Sequence, residues 1–224
     1  MKQLLTSLCN ALFPPFCSWC HQKRDERLTM LCKRCLSSLS FLDYQNRCSS
    51  CFSPLDEHPH NCPRYCTNSK MTAFCFDDSP IIRSLFTSTA YPHPLSSLFF
   101  LQWEKLKWPI PDLIVSTAGD WFLGRRWKSL TSIAGSFASL LHKPYLPLYI
   151  DRFRLTNPLV SIERQSQTPK TESVYLRHPS QVVNTNILLI DGITESGQSL
   201  LVSAKALTNY GALEIRALGG ISPY

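Results

Sequence analysis

Beyond about residue 80, the hydrophobic positions follow secondary-structure periods. Ile81, Ile82, Leu85 and Phe86 share one helical face. Leu95, Leu98, Phe99, Leu101 and Trp103 continue such a face after the turn-like Tyr91-Pro92-His93-Pro94. Residues 111–119, PDLIVSTAG, read as a strand with a proline-led start, an apolar centre and a small-residue end. Residues 130–141 have the spacing of a helix. Ile187 to Ile190 form an unbroken apolar run, as expected of a strand covered on both faces. Residues 199–212 then read as a helix stopped by Gly211. This alternation predicts an α/β domain with a mainly parallel sheet over residues 76–224.

The first third of the chain has a different pattern. Long alternating strands are absent from its sequence, and all ten cysteines fall between residues 9 and 75. Eight of them form close pairs: Cys17 with Cys20, Cys32 with Cys35, Cys48 with Cys51, and Cys62 with Cys66. A close pair offers two thiolates to one ion at little loop-closure cost, and two pairs complete a tetrahedral four-sulfur site. Eight paired thiolates therefore predict two Zn²⁺ ions, although thiolates alone also suit an iron–sulfur centre. Disulfides fit less well, because the paired residues are too close for most structural bridges and no export signal accompanies them. The spacing leaves open whether each site joins successive or interleaved pairs. Residues 1–75 are expected to be a cysteine-rich, double zinc-binding module whose folding energy comes partly from metal. Cys9 and Cys75, outside the pairing, are expected to be small buried residues.

Near the start, Leu4, Leu5, Leu8, Ala11 and Leu12 have helical spacing and precede Pro14-Pro15. Asn10 and the two prolines interrupt what would otherwise resemble a signal peptide. No stretch reaches the roughly 18 apolar residues of a membrane span. The expectation is a cytoplasmic protein. Apolar residues make up 44% of the chain, enough for a packed core, and the net charge is +7. That charge suits nucleic acid or a phosphorylated small molecule without selecting between them. Within the module, Lys23, Arg24, Lys33, Arg34, Arg47 and Arg64 could meet phosphates, and Tyr44, Phe52 and Tyr65 could stack on bases. Asp25, Glu26, Asp56 and Glu57 are interspersed, so a purely structural module remains an equal reading.

Chemistry in the second domain centres on ILLIDGITESGQSL, residues 187–200. In a parallel sheet, ligands bind where strands end and helices begin. Here that point carries a small-residue loop. Its N–H groups and the positive end of the following helix can cradle a phosphate. Thr194, Ser196 and Ser199 add hydroxyls, and Asp191 can accept from sugar hydroxyls or hold water around a cation. No GKS or GKT ending marks a P-loop, and the glycine spacing is not that of a dinucleotide fingerprint. The plain alternative is a β–α turn whose hydroxyls cap a helix.

Four early cysteine pairs followed by ILLIDGITESGQS resemble the ComF-type, phosphoribosyltransferase-like proteins associated with competence for DNA uptake, over nearly the whole chain. The resemblance implies a zinc module joined to a type I phosphoribosyltransferase fold. In that fold the loop holds the 5-phosphate of phosphoribosyl pyrophosphate, an acidic pair faces the ribose, and Mg²⁺ bridges the pyrophosphate. Asp191 matches the first acid. Ser196, Gly197 and Ser199 match the second hydroxyl, the glycine and the closing hydroxyl. Gly192 stands in place of the second acid, and Glu195 in place of the first hydroxyl. Thr194 lies in the same loop. A mid-domain arginine segment of the family aligns with RRWKSLTSIAGSF, where Arg126 is retained without the family's glycine, asparagine and glutamine. The family's proline-rich strand end appears as Ser116-Thr117-Ala118. Arg164 and Arg177 stand in the region of later family arginines.

Two functions follow. One is a catalytically weak or inactive DNA-uptake factor whose module meets single-stranded DNA or a helicase-like protein. The other is an active transferase that displaces pyrophosphate from the donor sugar, with Mg²⁺ countering charge. A Glu195 carboxylate 4 Å from a phosphate, at an effective dielectric near 20, would oppose it by about 4 kcal/mol per charge pair. Weak donor binding is therefore expected, with Mg²⁺ present only alongside phosphoribosyl pyrophosphate.

Overall fold

A computed structural model describes residues 16–17, 19–23, 31–43, 45–55, 62, 69–87, 92–117, 128–150, 174–194 and 197–222. Its centre is a five-stranded, wholly parallel sheet. The strands are β1 (Met71–Phe76), β2 (Leu113–Ser116), β3 (Tyr145–Pro147), β6 (Asn186–Ile193) and β7 (Glu214–Ile221), in spatial order β1-β7-β6-β2-β3. Two short strands, β4 (Tyr149–Ile150) and β5 (Val174–Tyr175), form a separate antiparallel ribbon. The helices are α1 (Lys33–Ser37), α2 (Pro80–Thr87), α3 (Pro92–Lys105), α4 (Lys128–Leu140) and α5 (Gln198–Asn209).

The expected helical faces pack as their spacing requires. Ile82, Leu85 and Phe86 of α2 are buried, as are Leu95, Phe99 and Trp103 of α3. Leu101 differs: it is about half exposed, one step off that stripe. Pro80 opens α2 at a position where its missing N–H costs nothing, and the Ser79 hydroxyl accepts from the Ile82 N–H at 3.3 Å. The α5 helix ends before Gly211, which takes φ +86°. Leu188 to Ile190 are buried, matching the unbroken apolar run.

Chain direction places the candidate site. From β2 the chain crosses through α4 to β3 on one side; from β6 it crosses through α5 to β7 on the other. Right-handed crossovers running opposite ways put α4 and α5 on opposite faces and open a crevice where the order reverses. That point lies between β2 and β6, paired from Leu113–Ile187 to Ser116–Ile190.

The cysteine-rich segment lies along the β1 edge of the sheet. Its Leu42 N–H donates to the Cys75 carbonyl at 3.0 Å, and its Ser50 carbonyl accepts from the Thr72 N–H at 3.1 Å. Phe41 meets Phe76 at a ring separation of 4.7 Å, and buried Phe52 meets Phe74 at 6.5 Å. Gln102 of α3, itself buried, uses its amide to donate to both the Leu42 and Phe74 carbonyls, at 3.0 and 2.9 Å. The module thereby covers the open edge of β1. Residues 75 and 76 both lie in β1, whose pairing with β7 runs from Met71–Arg216 to Phe76–Ile221. Cys75 is fully buried in this strand, and desolvation pushes its thiol pKa well up.

Candidate functional site

Two knuckles build the first site, and they share one backbone pattern. The Cys17 N–H donates to the Gln22 carbonyl, and the His21 N–H to the Cys17 carbonyl. Likewise the Cys48 N–H donates to Ser53, and the Phe52 N–H to Cys48. Isolated bridges close each turn at equivalent places, Phe16 with Lys23 and Arg47 with Pro54. In each knuckle the residue after the second cysteine is left-handed: His21 at φ 56° and Phe52 at φ 65°. This conformation costs a side-chain-bearing residue roughly 1–2 kcal/mol. The turn gains N–H groups aimed at sulfur in return. Buried Phe52 also gains packing, so it is not available to stack on bases as its sequence position suggested.

The knuckles gather sulfurs from successive pairs. Sγ atoms of Cys17, Cys20, Cys32 and Cys35 lie within 4.8 Å of one another, as do those of Cys48, Cys51 and Cys62. Cys20 and Cys32 are 3.7 Å apart, and Cys48 and Cys62 are 3.6 Å apart. A tetrahedron with metal–sulfur bonds of about 2.3 Å has edges of about 3.8 Å. The sulfurs therefore have the spacing of a shared ion and are not bonded to each other. These two clusters can hold metal. Cys66, the expected fourth ligand of the second, lies outside the described residues.

The sulfurs hold protons unequally. Burial works to raise the Cys17 pKa, but N–H donors from Cys32, Cys20 and Trp19 outweigh it and bring the value to about 6. Burial and the neighbouring sulfurs push Cys35 up to about 12. The same division recurs in the second cluster. Cys48 falls to about 7 because backbone donors from Cys51 and Ser50 overcome desolvation, while hydrogen bonding with Cys48 pushes Cys62 up to about 11. Metal binding to either cluster must expel thiol protons.

The second site lies at the carboxyl ends of β2 and β6. Asp191 is fully buried there. Its Oδ1 accepts from the Thr117 hydroxyl at 2.7 Å; its Oδ2 accepts from Thr194 at 2.7 Å and Ser199 at 3.2 Å. Desolvation dominates these bonds and moves the Asp191 pKa upward. Gly197 is buried, with φ 70°, and precedes α5 without a side-chain cap; its carbonyl accepts from the Leu201 N–H at 2.9 Å. Thus Asp191, Thr194 and Ser199 are joined by direct hydrogen bonds, while Gly192 and Gly197 shape the backbone beside them. Glu195, Ser196 and Arg126 lie outside the described residues.

Sequence reasoning did not assign Thr117 to this network. Its signal was a hydroxyl one residue beyond a strand that pairs with the Asp191 strand. Recognising it required the β2–β6 pairing, which spans 74 positions of sequence. Arg177 instead sits over the Tyr149 ring at 4.6 Å, on the β4–β5 ribbon. Of the basic residues expected near nucleic acid, Lys23, Lys33 and Arg34 are exposed. Arg47 is engaged internally, donating to the Phe52 carbonyl at 3.0 Å and lying over the Phe52 ring. Two exposed aromatics not expected in that role, Phe16 and Trp19, occupy the first knuckle.

No family model matches the chain, and no curated protein matches it. Among the described residues, no helix is long and apolar enough to cross a membrane.

Proposed function

We propose that the chain is a phosphoribosyltransferase-like accessory protein of DNA uptake, cytoplasmic and catalytically weak or inactive. Its module holds two Zn²⁺ ions and presents the first knuckle to single-stranded DNA. The observation that carries this reading is the exposure of Phe16 and Trp19 on a turn that also exposes Lys23. Aromatic faces accept bases without demanding a sequence, and cations follow the phosphates. Lys33 and Arg34, exposed on the neighbouring pair of ligands, extend the same chemistry. Zinc fits the donor set, and when bound it supplies folding energy to the cysteine-rich segment. A helicase-like partner would meet the DNA that this surface carries.

The test is a fluorescence titration of the full chain with single-stranded DNA. Affinity should fall steeply with salt, because phosphate contacts release counterions. Trp19→Ala should weaken binding several-fold at every salt concentration while leaving the slope nearly unchanged; Lys23→Ala should reduce the slope by about one unit. Absence of binding at low salt would reject the reading.

A second reading, an active Mg²⁺-dependent transferase using phosphoribosyl pyrophosphate, draws on the small-residue loop at the point where strand order reverses. Gly192 and Glu195 weigh against it, since one removes a ribose-facing acid and the other adds charge beside the phosphate. Pyrophosphate release with a nucleobase acceptor would establish it.

A further inference from the structure

We infer that Asp191 is a positioning residue, the tie that closes the crevice between β2 and β6, and that it offers no oxygen to a ligand. A carboxylate presents about four lone-pair sites. Here three hydroxyls, those of Thr117, Thr194 and Ser199, occupy both oxygens. With no exposed surface left on Asp191, a ribose hydroxyl or metal-bound water would have to displace one of them.

The donors come from three different elements. Thr117 follows β2, Thr194 follows β6, and Ser199 lies in the first turn of α5. Asp191 therefore fastens the start of α5 and the beginning of the loop to the neighbouring strand. Thr117 is itself fixed, since its N–H donates to the Ile190 carbonyl at 2.9 Å and its side chain is buried. On the far side, Gly219 of β7 stands against the Thr194 hydroxyl, where an added Cβ would lie 3.1 Å away. The tie is thus gripped from both flanking strands. The part of this inference that concerns ligands rests on reading residues 191–199 as the descendant of a phosphate loop. On that reading it adds a third feature, besides Gly192 and Glu195, that weakens donor binding: an acid aligned with the family's first acid but turned inward.

The hydroxyls can be removed with little change of volume. Thr117→Val and Ser199→Ala delete donors, while Thr117→Ser and Ser199→Thr retain them. Hydrogen exchange of the ligand-free full chain should be about tenfold faster at the Thr194 and Leu201 amides in the deleted variants. Both retaining variants should exchange as the natural protein does, and the Leu189 amide, deep in the sheet, should remain protected in all four. General loss of stability would instead accelerate Leu189 equally and would overturn the proposal. So would unchanged exchange at Thr194 and Leu201 in both deleted variants. Asp191→Asn, titrated with Mg²⁺ and phosphoribosyl pyrophosphate, gives a further contrary result if it abolishes binding that the natural protein shows while loop exchange stays unchanged. Because exchange is read without ligand or DNA, failure of DNA binding would reject the functional proposal and leave the tie standing.

Discussion

Asp191 is an acid that is harder to ionise where it stands than in water. Burial raises its pKa, and the hydroxyls of Thr117, Thr194 and Ser199 only partly offset that rise. A native-state pKa above the unfolded value means that the folded chain holds this proton more tightly. The stabilisation is fully present below the unfolded value of about 3.9 and is lost as pH rises through the native pKa. Asp191→Asn has no such titration. Urea denaturation of both proteins from pH 4 to 7 should therefore show the natural protein losing stability relative to the Asn variant as pH rises. Other titrating groups, including the thiols, cancel in that comparison. Parallel pH profiles would mean that Asp191 is solvated. Gly192 and Glu195 make a separate prediction at this scale. On the proposed phosphoribosyltransferase-like reading, Gly192→Asp with Glu195→Thr adds a second acid and removes a like charge, so calorimetry should find tighter Mg²⁺-dependent binding of phosphoribosyl pyrophosphate than in the natural protein. No gain would place the obstruction elsewhere, after β2 or around Arg126.

At the scale of elements, legibility followed the range of the contacts that define each one. Ile82, Leu85 and Phe86 announce α2 by local spacing, and Ile187 to Ile190 announce β6 because both faces are covered. The β7 strand gives no such signal: Glu-Ile-Arg-Ala-Leu-Gly-Gly-Ile has charges at one end and two glycines at the other. Its charges are tolerated because Glu214 pairs with Arg216 and with Lys70 of the segment before β1. Its glycines are explained only by distant neighbours. A Cβ at Gly219 would collide with the Phe74 ring, and one at Gly220 would collide with Phe86 and stand 2.6 Å from the Gly192 carbonyl. Gly220→Ala should thus destabilise the protein by about 1–3 kcal/mol, measured by urea denaturation. A neutral result would mean that the backbone near Gly192 yields readily. The cysteine pairs were legible because ligand spacing is a local property, whereas their grouping depended on how the knuckles fold. Thr117 remained hidden for the same reason as β7, since its partner lies on another strand.

For the whole molecule, the module and the sheet are joined along β1. That strand would otherwise present unpaired N–H and carbonyl groups on its outer side. Leu42 and Ser50 satisfy some of them, and Gln102 binds the Leu42 and Phe74 carbonyls from within the helical layer. Ser50 lies inside the second knuckle, between Cys48 and Cys51, so the geometry of that cluster also positions a β1 partner. Metal should therefore protect the sheet edge as well as fold the module. Protein purified without added metal is expected to carry two zinc ions per chain; near-zero zinc with intact disulfides would refute the assignment. If only one ion is found, the second cluster is the weaker site, because Cys62 and Cys66 depart from the spacing of the other pairs. Removing zinc with a chelator at neutral pH should release Ser50 and Leu42 and increase hydrogen exchange at the Thr72 amide before that at Leu189. The uncovered edge can then pair with another chain, so light scattering should rise with protein concentration. Gln102→Leu, which deletes both amide bonds and puts an apolar side chain of similar size in their place, should lower the chelator concentration needed for that transition. If the stripped protein keeps Thr72 protected and remains monomeric, the module is a separate attachment and β1 needs no metal-dependent cover.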